Sequence, residues 1–194
     1  MGITRALTIF LIYCWLAAIL AIAAPQEFSG TVIRIADGDT ITVLHNGVAE
    51  RVRLYGIDCL EKSQAFYRVA KEYAAQRSFQ KTVTVRVKGR DRWNRTIGEV
   101  VLPSGQLLNH QLVREGLAWW FHKYAVGNEE LHVMQEEARA AKRGIWVDAN
   151  PVPPWEFRKH SRKDVPHPSS STNQESGALF FSNASGTLIP QDQK

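Results

Sequence analysis

Asn46-Gly47 stands between two runs in which apolar and polar residues alternate, and it constrains the fold more than any other pair in the chain. Asn-Gly is the dipeptide that type I′ turns prefer, and their twist matches that of two antiparallel strands. The expected hairpin has Thr40 to Leu44 as one strand and Val48 to Ile57 as the next, with Val52 and Leu54 alternating against Arg51 and Arg53. Hairpin pairing also decides which ends meet. Asp39 opens the first strand and Asp58 closes the second, so the two acids are expected side by side.

Around this hairpin the pattern supplies three more strands. Phe28 to Ile35 ends at Asp37-Gly38-Asp39, with Gly30 marking a bend or bulge. Lys81 to Lys88 alternates Val83, Val85 and Val87 with polar residues, and Thr96 to Leu102 follows the Asp91 to Arg95 turn. Helical spacing governs Gln64 to Phe79, with Phe66, Val69, Ala70, Tyr73 and Ala74 on one face. It returns at Leu108 to Glu115, stopped by Gly116, and at Glu129 to Arg143, with Leu131, Met134, Ala138 and Ala141 inward and Gly144 ending it. Five strands and three helices in this order predict an α+β, mainly β fold: a five-stranded Greek-key barrel of the oligonucleotide-binding (OB) type.

The ends of the 194-residue chain read differently from its middle. Residues 1–23 have a basic start at Arg5, an apolar run from Ala6 to Ile22, and the small-x-small exit Ala21-Ile22-Ala23, the pattern of a cleaved signal peptide. An uncleaved membrane anchor is the alternative, because the run approaches spanning length. Either way the rest is expected to be exported, secreted or periplasmic after cleavage. Residues 24–160 form the expected domain. Residues 161–194, rich in serine and polar side chains, are an expected disordered tail carrying an apolar patch at 178–181 and a sequon at Asn183. Cys14 leaves with the leader, so Cys59 has no partner for a disulfide and the domain must be held by its core. The formal charge of +5 leans towards an acidic partner.

Chemistry concentrates at the open end of the hairpin. Asp39 and Asp58 are hard oxygen ligands whose pairing suits calcium, with a carbonyl near Cys59 and waters to complete the shell. Glu61 lies three residues on, where a carboxylate can orient or deprotonate a water. Arg53 and Arg95 can fork onto phosphate oxygens, which phosphoryl transfer requires and lysine does less well. Each residue also has a plainer account: turn formation for Asp37 and Asp39, a strand-end acid for Asp58, a helix N-terminal acid for Glu61, and surface ion pairs for the arginines. The three segments taken together point to phosphodiester hydrolysis. Trp119-Trp120-Phe121-His122-Lys123-Tyr124 interleaves aromatic and basic groups and reads as a base-stacking edge, with at least one of the tryptophans in the core. His110 and His132 show no metal-ligand spacing and are expected at the surface.

At this point the chain resembles the staphylococcal-type thermonuclease family. Asp-Gly-Asp-Thr, Arg-Leu-x-Gly-Ile-Asp followed by Glu61, Asp-Arg-x-x-Arg and the Asn109 to Ala118 segment occur in the family's order and spacing, over roughly Phe28 to Trp146. The resemblance implies a calcium-dependent endonuclease that cuts DNA and RNA to leave 3′-phosphate ends. It makes Arg53, Glu61 and Arg95 catalytic, Asp39, Asp58 and the Cys59 carbonyl the Ca²⁺ ligands, and His122 and Tyr124 the groups that meet the substrate base. No stable protein partner is implied, and a monomer is expected. The chain departs from the family at Cys59, where a threonine or small residue is usual, at Leu60, where proline is usual, and at Trp93-Asn94 in place of Tyr-Gly. Leu60 removes a fixed φ just before Glu61. The rival reading is a barrel that binds nucleic acid without cutting it, and a binder has no need of Glu61.

Overall fold

Strand register sets where Asp39, Arg53 and Asp58 stand. The computed structural model describes residues 26–163; the leader, the sequon and the apolar patch of the tail lie outside them. The strands are β1 (Glu27–Ile35), β2 (Thr40–His45), β3 (Val48–Leu54), β4 (Ile57–Cys59), β5 (Thr82–Arg90), β6 (Thr96–Val101) and β7 (Ala118–Trp120). The helices are α1 (Tyr67–Ser78), α2 (Leu108–Arg114), α3 (Glu129–Ala140) and α4 (Pro154–Lys163), with a 3₁₀ turn at Gly144–Val147.

Five strands close a barrel in the order β1-β2-β3-β6-β5, and β5 returns to β1. The β3–β6 pair is parallel and the other pairs are antiparallel. This is the OB topology, and the barrel has no free edge. Its interior is filled by inward residues such as Val32, Ile41, Val43, Val52, Val85 and Val100, all fully buried. Asn46 and Gly47 both have positive φ, and His45 pairs with Val48, as the I′ hairpin requires.

Several expectations need correction. The third strand does not run on to Ile57. It stops at Leu54, and Gly56 turns the chain at φ +77°. A Cβ there would meet Leu131 Cδ1 at 2.9 Å and Ala125 Cβ at 3.1 Å, so the turn needs glycine for both conformation and room. Ile57–Cys59 then forms a separate two-stranded ladder with β7, which periodicity did not indicate. The irregularity in β1 lies between Val32 and Arg34, not at Gly30. Val69 and Ala141, expected inward, are exposed, while Ala70, Ala74, Leu131, Met134 and Ala138 are buried.

The described residues hold four helices where three were expected. The additional one, α4, begins at Pro154. Proline is accepted in the first turn of a helix, where its missing N–H costs nothing. Two smaller units complete the frame. Asn109 is buried at the start of α2; its side chain accepts from the Val100 N–H at 3.0 Å and donates to the Tyr55 carbonyl at 2.9 Å, joining helix, β6 and the turn after β3. A second apolar cluster of Leu60, Trp119, Ala138, Ile145 and Trp146 lies beside the main core, with Trp155 of α4 packed against it.

Candidate active site

Thr40 pairs with Arg53, so the turn before β2 lies against the end of β3, and Leu54 N–H donates to the Asp39 carbonyl at 2.8 Å. Within that turn Asp39 N–H donates to Asp37 Oδ1 at 3.1 Å, an Asx-type closure that holds Asp39 in place. The turn has no space to spare. A Cβ on Gly38 would come within 2.8 Å of Cys59 Sγ and 3.0 Å of Ala70 Cβ, so glycine lets the turn, β4 and α1 approach each other.

The hairpin brings Arg53 to Asp39, and the turn at Gly56 with the β4–β7 ladder brings Asp58 to the same guanidinium. Arg53 sits between the two aspartates, its Nη1 on Asp39 Oδ1 and its Nη2 donating to Asp58 Oδ1 at 2.7 Å and to the Ile57 carbonyl at 3.4 Å. Asp39 and Asp58 are 2% and 1% exposed, so their charges depend on these partners rather than on water. Cys59 N–H donates to Asp39 Oδ2 at 2.6 Å.

The ladder explains why Cys59 contributes backbone. Asp58 pairs with Trp119 in β7, and Phe121 N–H donates to the Gly56 carbonyl at 2.8 Å. Alternation along the strand therefore turns the N–H and C=O of Ile57 and Cys59 to the opposite edge, the one facing Arg53 and Asp39. The Cys59 side chain is buried in the core. Burial pushes its thiol far above the ordinary range, against the smaller opposing pull of Arg53, so the thiol is inert.

Glu61 follows in a loop. Its N–H donates to Gln64 Oε1 at 2.9 Å, and Gln64 Nε2 donates to the Val152 carbonyl at 2.8 Å. Leu60, the departure from the family pattern, is buried in the second cluster. The loop is thus anchored by an apolar side chain where a proline would have restricted φ. The Glu61 carboxylate accepts from Arg158 Nη1 at 2.6 Å. Arg158 Nη2 donates to Asp58 Oδ2 at 2.7 Å, and Nη1 lies 3.4 Å from Asp58 Oδ1. Partial burial alone would lower the pKa of Arg158, but its bonds to Asp58 and Glu61 prevail and raise it, so the guanidinium stays charged.

Sequence reasoning missed Arg158, which lies 97 residues from Glu61. The available signal was Trp155 and Arg158 at i and i+3 after a proline in the first turn, one face of a helix.

Arg95 is not part of this cluster. It ends the turn that leads into β6, one residue before Thr96, which pairs with Val52, and its Nε donates to Asp91 Oδ2 at 2.7 Å. Asp91 Oδ1 accepts from the N–H groups of Trp93 and Arg95, each at 2.9 Å. Burial pushes the Asp91 carboxyl up, but the Arg95 backbone and guanidinium and the Trp93 N–H outweigh it and hold it below the usual range. Asn94 takes φ +60°, and the exposed Trp93 ring lies under Arg92 and Arg95.

His122 and Tyr124 fall in the turns after β7, and Tyr124 is 63% exposed. Trp119 is buried in the second cluster and Trp120 packs on the main core. His110, expected at the surface, is largely buried beside Glu130 at 3.3 Å.

The donor chemistry admits a hard cation. Two buried carboxylates converge on a positive group, a backbone edge lies beside them, and the three acids outnumber Arg53 and Arg158 by one formal charge. Among the described residues no larger His, Cys, Asp and Glu cage is present. Asp39 and Asp58 are the hard oxygen donors that a divalent cation takes, and guanidinium and N–H groups of the chain bond all four of their oxygens here.

A family model described as staphylococcal nuclease homologue matches residues 51–148. An uncharacterized endonuclease of Escherichia coli is 43% identical over 132 residues, covering 68% of this chain and 86% of that protein. A micrococcal nuclease of Shigella flexneri is 38% identical over 157 residues, covering 75% of this chain and 90% of that protein. A staphylococcal-like nuclease of Arabidopsis thaliana, CAN1, is 32% identical over 112 residues, 58% of this chain and 34% of that protein. The family match takes in Arg53, Asp58, Glu61 and Arg95, and it ends before α4 begins.

Proposed function

This chain belongs to the staphylococcal nuclease family and is a nuclease, and we propose on that premise that it is an exported, calcium-dependent endonuclease acting on both DNA and RNA. The observation that carries this reading is the convergence of Asp39 and Asp58 on one guanidinium, with the Glu61 carboxylate one further guanidinium away. Calcium would be held by Asp39, Asp58 and the Cys59 carbonyl, and when bound it supplies positive charge to the scissile phosphate.

The chain's own residues do the rest. Glu61 orients the attacking water and accepts its proton. Arg53, fixed on a barrel strand, and Arg95, on the Asp91-anchored turn, donate to the phosphate oxygens as charge develops on them. Water oxygen bonds to phosphorus, the bond from phosphorus to the 5′ oxygen breaks, and the departing oxygen takes a proton. The products are a 3′-phosphate and a 5′-hydroxyl. His122 and the exposed Tyr124 offer rings to the neighbouring base, a contact that tolerates any sequence and either sugar. Export rests on the pattern of residues 1–23, and the protein acts as a monomer.

Plasmid DNA and RNA incubated with the mature protein, in calcium and in chelator, test the reading. Cleavage of both should require calcium, with a dissociation constant of roughly 10⁻⁴ to 10⁻³ M and poor replacement by magnesium. Glu61→Gln should lower turnover roughly 10²-fold or more while oligonucleotide binding persists. Full activity in chelator would remove the metal from the account. An undiminished Glu61→Gln enzyme would leave a different residue activating water.

A further inference from the structure

We infer that Arg158, carried by the C-terminal helix, is a positioning residue of the active site that fixes the Glu61 carboxylate beside Asp58. The inference rests on the nuclease reading above and concerns a residue beyond the stretch that the family model matches.

Glu61 needs such help. It lies in a loop between β4 and α1, outside regular structure, and a carboxylate there has several rotamers open to it. Among the described residues, Arg158 is the side chain that bonds that carboxylate, at 2.6 Å. The same planar fork reaches Asp58 Oδ2 at 2.7 Å. One rigid group thus sets the separation of the water-activating acid from an acid fixed to the barrel, which a flexible lysine ammonium would do less well.

The segment carrying Arg158 is itself docked. Trp155, one turn earlier, stacks on Phe121 with ring centroids 5.0 Å apart and planes 4° from parallel, and meets Trp119 edge-on at 5.7 Å. Gln64 bonds both the Glu61 backbone and the Val152 carbonyl, clamping the catalytic loop to the chain that leads into α4. Backbone, aromatic and ionic contacts therefore act on the same few residues. A surface helix that merely covered the barrel would have no use for a fork on two carboxylates.

The test uses Arg158→Ala, Arg158→Lys and Trp155→Ala in the full mature chain, each checked for an intact melting transition. At saturating calcium, Arg158→Ala should lower kcat on a single-stranded oligonucleotide by roughly 10- to 100-fold, the scale of a misplaced reacting group, with KM little changed. Arg158→Lys should recover part of the loss, and Trp155→Ala should reproduce it. Without calcium or substrate, amide exchange over residues 60–64 should speed up in the alanine variant and stay near the parent rate in the lysine one. An active parent whose alanine variant keeps full turnover overturns this inference alone. The same holds if that variant binds calcium several-fold more tightly by calorimetry and cuts as fast or faster, because Arg158 would then be a competitor for the metal's place. A parent that cuts no nucleic acid overturns the nuclease reading and this inference together.

Discussion

Asp39 and Asp58 are bound into the barrel end by Arg53, the Cys59 N–H and the hairpin register, and almost no surface of either carboxylate reaches water. Glu61 and Arg158, a few ångströms away, have side chains 37% and 36% exposed and come from a loop and from the last described helix. One half of the site is thus made of residues whose displacement would strand charge in the interior. The other half comes from a loop and the C-terminal helix, keeps about a third of its side-chain surface in water, and is tied to the first half by the Arg158 fork on Asp58.

Arg53→Ala puts the largest strain on this comparison. It leaves two buried aspartates sharing one lost partner and should cost about 3 to 5 kcal/mol in urea unfolding, in addition to the loss of activity. A cost under about 1 kcal/mol would mean that the barrel end is as tolerant as the loop. Leu60→Ala tests the other half. It empties a place in the second cluster and should cost about 2 to 3 kcal/mol, in the lower part of the range for a buried leucine. Amide exchange should rise at residues 60–64 but not in β2 and β3. Exchange rising equally in both places would show one cooperative unit instead of two.

The hairpin was legible because its logic is local. Asn46-Gly47 fixes a two-residue turn, and period-two counting then carries Asp39 to the end of β3 beside Arg53, whereas Asp58 reaches that end through the turn at Gly56 and the β4–β7 ladder. The break at Gly56 was hidden, since a glycine at positive φ leaves the apolar rhythm of Tyr55 and Ile57 undisturbed and shows only when Leu131 and Ala125 are seen against it. Arg158 was hidden for two reasons. The prolines at 151, 153 and 154 interrupt the helical spacing just before it, and its partners are fixed by tertiary packing of Trp155. Val69 and Ala141 were misplaced because helical spacing names a face without saying where along the helix the core stops. Arg95 is expected at the phosphate from its residue type as well as from the resemblance, and its engagement with Asp91 belongs to turn chemistry that spacing alone does not reveal.

The smallest expected effect separates scaffold from site. Burial lowers the pKa of His110 below the ordinary 6.5, and Glu130 and Glu99 offset this only in part. The folded protein therefore resists a proton that the unfolded chain accepts, and this contribution to stability is lost as pH falls from about 6.5. His110→Gln should flatten the melting temperature between roughly pH 6.5 and 5 without moving the calcium requirement. A change in calcium requirement would tie α2 to the site and blur the division between the two halves.

The edge of β4 has a consequence for how such a chain can drift. Position 59 meets the site through its main-chain N–H, which bonds Asp39, while its sulfur faces Gly38 in the interior. The side chain there answers only to volume, so substitution among small residues is silent at the site, whereas proline, lacking the N–H, would sever the bond to Asp39. Two relatives can thus differ in residue type at this position and still present the same atoms to a ligand.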